Sequence, residues 1–229
     1  MHNKLLLKLP HIYKFVSKFK TQKNYEKLLY IEKINHGDVV LDIGANHGYY
    51  TQLFSILTGK TGKVHVFEPV PETFHKLQST AKFLSNTKIN KYAVGRNSGK
   101  AIINYNLRES EKASLIYRTK TMNNQCETMI ISVDDYVTEQ KIKRVNFIKC
   151  DVEGFELEVV CGAYNTLVEN LPKLSIEITL GEEKLRQLFI LLKKIGYREF
   201  RKIEKGLPLV NIDNFRFDND DFFYLYANS

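Results

Sequence analysis

Apolar positions along the chain follow two rhythms. Short apolar runs that stop at glycine, proline or an acid mark strands, and apolar residues spaced three and four apart mark helices. Val39–Ile43 is a first strand, followed by a helix from about Gly48 to Leu57. Val64–Phe67 is a second strand, ending in Glu68-Pro69. A helix opened by Pro71 runs to about Leu84, with Phe74, Leu77, Ala81 and Leu84 inward. Ile89–Val94 is a third strand and Val145–Cys150, stopping at Asp151, a fourth. The helix after Gly154 turns Leu157, Val160, Ala163 and Leu167 inward, and Leu174–Ile178 is a fifth strand. Glu182–Ile195 is strongly periodic and closes at Gly196. Strands alternating with helices of these lengths predict an α/β fold with a doubly wound, mostly parallel sheet. Two tail strands, Tyr197–Ile203 and Phe222–Tyr226, have no helix between them and are expected to pair antiparallel.

Two stretches break the alternation. Between Gly95 and Ile131, the strand-like Ala101–Tyr105 and Thr128–Ile131 flank polar chain from Arg108 to Gln125. This reads as an inserted hairpin or flap over the carboxyl edge of the sheet, where selectivity is commonly carried; a disordered loop is the alternative for its middle. After it, Ser132 is placed to cap a short helix reaching about Gln140. The second stretch is the N-terminus. Ile12, Phe15, Val16 and Phe19 share one helical face behind Pro10, and a second helical piece spans about Tyr25 to Ile34. The expected organisation is a basic helical arm over residues 1–36 and a catalytic body over 37–229, with 95–131 as its insertion.

Charge refines this picture. The net charge is +8, but residues 1–36 hold eight lysines against two acids, so the body is nearly neutral. No nucleic-acid partner is therefore expected for the body. The arm has three readings: an amphipathic cover for the core, a helix on an anionic membrane surface through residues 4–20, or an oligomer contact. No apolar run reaches the roughly 18 residues of a membrane span, and Leu5-Leu6-Leu7 is cut short by Lys8 and Pro10. Cys126, Cys150 and Cys161 are odd in number and lack ligand spacing. A reducing, cytoplasmic location is expected, at most peripheral on a membrane.

The densest chemistry follows the first strand: Asp42-Ile43-Gly44-Ala45-Asn46-His47-Gly48. Gly44 admits backbone angles closed to other residues and, having no Cβ, lets a ligand press on the main chain. A helix starting after Gly48 turns free N–H groups toward the turn. A dinucleotide fingerprint needs G-x-G-x-x-G, and the middle glycine is missing. A ligand with a charged amino-acid end suits the turn better: Asp42 and the Gly44-Ala45-Asn46 backbone offer partners for an ammonium and a carboxylate.

Acids end four strands: Asp42, Glu68, Asp151 and Glu177. In an open α/β sheet such positions converge on one crevice. Glu68, 20 residues past Gly48, is placed to accept both ribose hydroxyls of an adenosine, and Ala93 in Tyr92-Ala93-Val94-Gly95 to flank its base. Asp151, beside the first strand, is a candidate cofactor contact and general base, with Glu153 and Glu177 as partners. Asp151 and Glu177, with water, are also a possible oxygen site for Mg²⁺, with no metal assigned.

Asp42-Ile43-Gly44-Ala45-Asn46-His47-Gly48, Val66-Phe67-Glu68-Pro69, Ser132-Val133-Asp134-Asp135-Tyr136 and Phe147-Ile148-Lys149-Cys150-Asp151-Val152-Glu153-Gly154-Phe155-Glu156 together resemble the FkbM family of S-adenosylmethionine-dependent methyltransferases. Ile176-Glu177-Ile178 and Gly196-Tyr197 extend the resemblance from about Gly37 to Tyr226. It implies a class I methyltransferase, Rossmann-like fold of seven strands, with S-adenosylmethionine as cofactor. It also implies O-methylation of a small-molecule or glycan acceptor, often at a sugar hydroxyl. An RNA methyltransferase using the basic arm, a cofactor-binding scaffold without activity, and an NAD-linked oxidoreductase are the rival readings.

Overall fold

The computed structural model describes residues 23–105, 124–211 and 223–228. The first arm helix, residues 4–20 as a membrane contact, and most of the polar stretch after Arg108 lie outside the described residues.

The first described element is α1 (Lys23–Lys33), followed by β1 (Val39–Ile43), α2 (Tyr49–Thr58), β2 (Lys63–Phe67), α3 (Pro71–Ala81) and β3 (Thr87–Asn90). β4 (Tyr92–Val94), β5 (Gly99–Tyr105) and β6 (Asn124–Ile131) come next, then α4 (Val133–Glu139), β7 (Phe147–Cys150), α5 (Glu156–Gly162) and α6 (Tyr164–Asn170). β8 (Lys173–Ile178), α7 (Glu182–Ile195), β9 (Glu199–Lys202) and β10 (Phe223–Asn228) complete the order.

The main sheet has seven strands in the order β3-β2-β1-β7-β8-β10-β9. β3, β2, β1, β7 and β8 run parallel; β10 pairs antiparallel with β9, as the tail pattern predicts, and also with β8. The central strands are apolar and buried because helices cover both faces. Val40, Val64, Val66 and Phe147 point to the layer holding α1, α2 and α3. Leu41, Ile43, Ile148, Cys150 and Ile176 point to the layer holding α4 to α7. In α7, Leu185, Leu188, Phe189, Leu192 and Ile195 form one buried stripe, and the N–H of Gly196 bonds back to Leu192.

Two features depart from the sequence pattern. The predicted third strand is two: β3 closes the main sheet, and after Lys91 the chain leaves it, so β4 pairs with β6 in a separate three-stranded sheet. The predicted helix after Gly154 is likewise two, α5 and α6, broken at Ala163, although its four inward residues are all buried. Asp134 stabilises the start of α6, accepting from the Asn165 and Thr166 N–H groups and the Thr166 hydroxyl. Helix α1 covers the core, which is one of the three readings of the arm. Its Tyr30 ring is fully buried and meets Tyr50, Phe54 and Phe147 edge-on at 5.1, 5.1 and 5.6 Å. Each such pair adds about 0.5–1.5 kcal/mol beyond its buried area.

The insertion forms the expected hairpin, β5 against β6, from Gly99↔Ile130 to Tyr105↔Asn124. Ser132 caps α4, its hydroxyl accepting from the Asp135 N–H at 3.0 Å. Among the described residues no helix is long and apolar enough to cross a membrane.

Candidate active site

β1 has β2 on one side and β7 on the other, so the topological switch point lies at its carboxyl end. A cleft of about 260 Å³ opens there, walled by the ends of β1, β2, β7 and β8, by β4, and by α1 and α2. All four strand-end acids, Asp42, Glu68, Asp151 and Glu177, line it. So do Glu153, Gly44, Ala45, Asn46 and Ala93.

The turn after β1 is built to hold Glu68. The N–H groups of Gly44 and Ala45 both donate to the Phe67 carbonyl, tying the turn to the end of β2. Asn46 takes a left-handed φ of 50°, which asparagine tolerates. Its N–H donates to Glu68 Oε2 at 2.9 Å, and the Val70 N–H donates to Oε1 at 3.0 Å. Burial pushes the Glu68 carboxyl up to about 7; the two backbone donors work against that shift and the Asp151 and Asp42 charges add to it.

Two glycines make room for neighbouring atoms. Gly44 has φ 75°, and a Cβ there would lie 1.8 Å from the Asp151 carbonyl oxygen. The Cβ side of Gly44 is thus closed by the end of β7, while the residue still lines the cleft. Gly48 does not line the cleft; a Cβ there would strike Leu77 Cδ1 at 2.7 Å and Thr80 Cγ2 at 3.0 Å, so it serves the packing of α2 on α3.

Asp42 is fully buried. Its Oδ2 accepts from the Thr51 hydroxyl at 2.7 Å, whereas Oδ1 has no partner among the described residues. Burial raises its pKa, opposed by Lys149 and by the Thr51 hydrogen bond.

Lys149 went unread in the sequence. It sits between Ile148 and Cys150 on β7, next to Asp42 in register, and is 3% exposed. Its Nζ donates to Asp151 Oδ2 at 2.7 Å and lies 5.4 Å from the Tyr50 ring centre. Burial opposes its charge, but the Asp151 and Asp42 carboxylates outweigh that and hold the ammonium above its ordinary range. The readable signal was a lysine in a strand covered on both faces, which has to be buried and paired.

Asp151, Glu153 and Glu177 bring carboxylate oxygens within 4.8 Å of one another. Burial, then the hydrogen bond and charge of Asp151, drive the Glu177 pKa far above neutral. Two carboxyls crowded in this way favour one proton shared between Glu177 and Asp151 over ionisation of both. Three oxygen donors at this spacing are a set a divalent cation takes, yet the Lys149 ammonium and the shared proton already offset much of the charge. Glu153 has a positive φ of 49° and Gly154 one of 93°. Buried Glu156 holds that turn: its Oε1 accepts from the Gly154 N–H at 2.8 Å and the Thr179 hydroxyl at 2.9 Å. The loops carrying Asp151 and Glu177 are thereby tied together.

Tyr92, Ala93, Val94 and Ile103 give the cleft an apolar wall, with Ile103 contributed by the insertion. Glu26 from α1 and Tyr49 and Tyr50 from α2 also face it and were not read as site residues. His47 lines it as well.

A parallel core with an antiparallel β10 near its edge, and an acid-lined cleft at the switch point, define a class I methyltransferase fold of the Rossmann-like type. The chain belongs to the methyltransferase FkbM domain family, matched over residues 42–199. It is 29% identical over 154 residues to the hexuronic acid methyltransferase AglP of Haloferax volcanii, covering 67% of this chain and 61% of that one. The chain thus spans about three fifths of that relative's length. Among solved structures, a methyltransferase FkbM from Methylobacillus flagellatus superposes with a TM-score of 0.57 at 15% identity, covering 100% of this chain and 60% of that one. SMU.1697c of Streptococcus mutans, solved in complex with SAH, superposes with a TM-score of 0.51 at 11% identity, covering 92% of this chain and 98% of that one.

Proposed function

We propose that the protein is an S-adenosylmethionine-dependent O-methyltransferase acting on a sugar hydroxyl of a glycan or glycosylated small molecule. The observation that carries this is Asp151, hydrogen-bonded to the Lys149 ammonium inside a cleft that Asp42, Glu68, Glu153 and Glu177 also line.

The donor groups fit the cofactor. Each Glu68 oxygen takes one backbone N–H and retains a lone pair, so the carboxylate accepts two ribose hydroxyls. The partnerless Asp42 Oδ1 accepts from an ammonium, which relieves its burial without a hydrogen bond. Tyr92, Ala93, Val94 and Ile103 supply an apolar wall for a flat base. When bound, the cofactor brings a methyl group already made electrophilic by its sulfonium.

What the chain adds is alignment and a proton acceptor. Asp151 accepts the hydroxyl proton, and Glu153 bonds a neighbouring hydroxyl or shares the proton. Glu177 is already protonated, so its part is to hold Asp151 in place. A hydroxyl acceptor explains the carboxylates: a carboxylate acceptor has no proton to lose and is repelled by them. The likeness to a hexuronic acid methyltransferase supports a sugar acceptor.

The test is incubation with labelled S-adenosylmethionine and a panel of neutral and uronic-acid glycans. The expected product carries one methyl ether, stable to mild alkali, with one S-adenosylhomocysteine released per transfer. Asp151→Asn should keep S-adenosylhomocysteine affinity and lose turnover by about 10²–10⁴-fold. An alkali-labile methyl ester, or full turnover in Asp151→Asn, contradicts the proposal.

A further inference from the structure

Helix α1 lies outside the matched family segment, yet it delivers a carboxylate to the cleft. Tyr30 and Glu26 are one helical turn apart on one face, so burying Tyr30 carries Glu26 inward. Glu26 is 1% exposed and still lines the cleft. Its Oε1 accepts from the Tyr30 hydroxyl at 3.0 Å and its Oε2 from the Tyr50 hydroxyl at 2.6 Å. The Tyr30 hydroxyl also meets Ser175 Oγ of β8 at 2.9 Å, which pins α1 to the sheet. Each Glu26 oxygen keeps a lone pair for a further donor.

The charges around it are unequal. Glu26, Asp42 and Asp151 all act on the ammonium of Lys149, and Asp42, whose Oδ1 has no hydrogen-bond partner among the described residues, lines the same cleft. Lys27, the next residue on α1, is buried with its ammonium over the Tyr49 ring at 4.7 Å, so the three carboxylates still outnumber the two buried ammoniums. A buried excess of carboxylate favours an incoming cation. Position narrows which one. Glu68 stands at the end of β2, whereas Glu26, through Tyr30 and Lys149, stands on the β7 and β8 side of β1. A nucleoside with its ribose on Glu68 extends its 5′ substituent across β1 toward Glu26.

We infer that Glu26, together with Asp42 Oδ1, binds the ammonium of the cofactor's amino-acid end, so that α1 is part of the cofactor site. This rests on the cofactor reading above. Charged hydrogen bonds of this kind shift affinity by about ten- to a hundredfold.

The test is calorimetric titration of the full chain with S-adenosylhomocysteine and with 5′-deoxy-5′-methylthioadenosine, which has the same nucleoside and thioether but no amino-acid end. Glu26→Gln should weaken S-adenosylhomocysteine by that factor and leave methylthioadenosine unchanged. Glu26→Asp, which keeps the charge, should give a smaller loss on the first ligand alone, and covers the case in which Glu26→Gln fails to fold. Equal weakening of both ligands, or no weakening of either, overturns the role of Glu26 and leaves the cofactor reading standing. Failure of the wild-type chain to bind either ligand overturns both.

Discussion

Replacing Gly44 by alanine isolates the device that joins the two halves of the site. The new methyl would lie 1.8 Å from the Asp151 carbonyl oxygen and 2.8 Å from its carbonyl carbon, both backbone atoms. Gly44 also has φ 75°, and a left-handed conformation costs a residue with a Cβ about 1–2 kcal/mol. Because no rotamer change relieves a backbone clash, β1 and β7 must part by more than 1 Å, and total destabilisation should reach about 3 kcal/mol. A displacement of that size at a catalytic group costs about 10²-fold in rate. Gly48→Ala is the matched control: its φ is 82°, but the atoms it meets are the side-chain ends of Leu77 and Thr80, away from the cleft. It should lose about 1–2 kcal/mol and keep its turnover. Urea unfolding followed by circular dichroism gives the stabilities, and S-adenosylhomocysteine release gives the rates. If Gly44→Ala matches Gly48→Ala in both, the contact between the cofactor turn and Asp151 is not what positions the site.

Two further outcomes follow from the charge states. Glu68 has a folded pKa near 7 against an ordinary 4.5, so its carboxyl contributes fully below pH 4.5 and costs stability as pH rises through 7. The wild-type chain should lose up to about 3 kcal/mol across that window relative to Glu68→Gln, read from urea midpoints at each pH. Its S-adenosylhomocysteine affinity should rise through the same window as the carboxylate forms; a flat profile would remove Glu68 from ribose binding. With Lys149 and a shared proton offsetting the acids, exhaustive dialysis against EDTA should leave methyl transfer unchanged. Loss that Mg²⁺ restores would make Asp151, Glu153 and Glu177 a cation site.

Much of this site was legible because its groups sit where apolar runs stop. Asp42, Glu68, Asp151 and Glu177 end strands, and one topological rule sends them to one crevice. The purpose of Gly44 was harder to read: a glycine in a turn is equally suited to a ligand or to a neighbouring strand, and only the position of Asp151 decides. Lys149 was hidden because a single charge in a short strand resembles a solvent-facing residue until both faces are known to be covered. Glu26 and Tyr30 were not legible because a helix covering the core does not itself say which of its polar residues turn inward. Their burial depends on Ser175 and Phe147, more than a hundred residues away in sequence. The split between β3 and β4 was invisible for a related reason: no glycine or proline marks a break in Ile89-Asn90-Lys91-Tyr92-Ala93-Val94, and the pairing of β4 with β6 exists only once the insertion folds back.

The account stands on carboxylates from separate strands forming one receptor for a sulfonium nucleoside. A crystal structure of the protein grown with S-adenosylhomocysteine tests this most directly. The account predicts ribose hydroxyls on Glu68, the amino-acid end between Asp42 and Glu26, and the sulfur facing Asp151. A nucleoside bound away from this cleft, or a cleft left empty at saturating ligand, would contradict it.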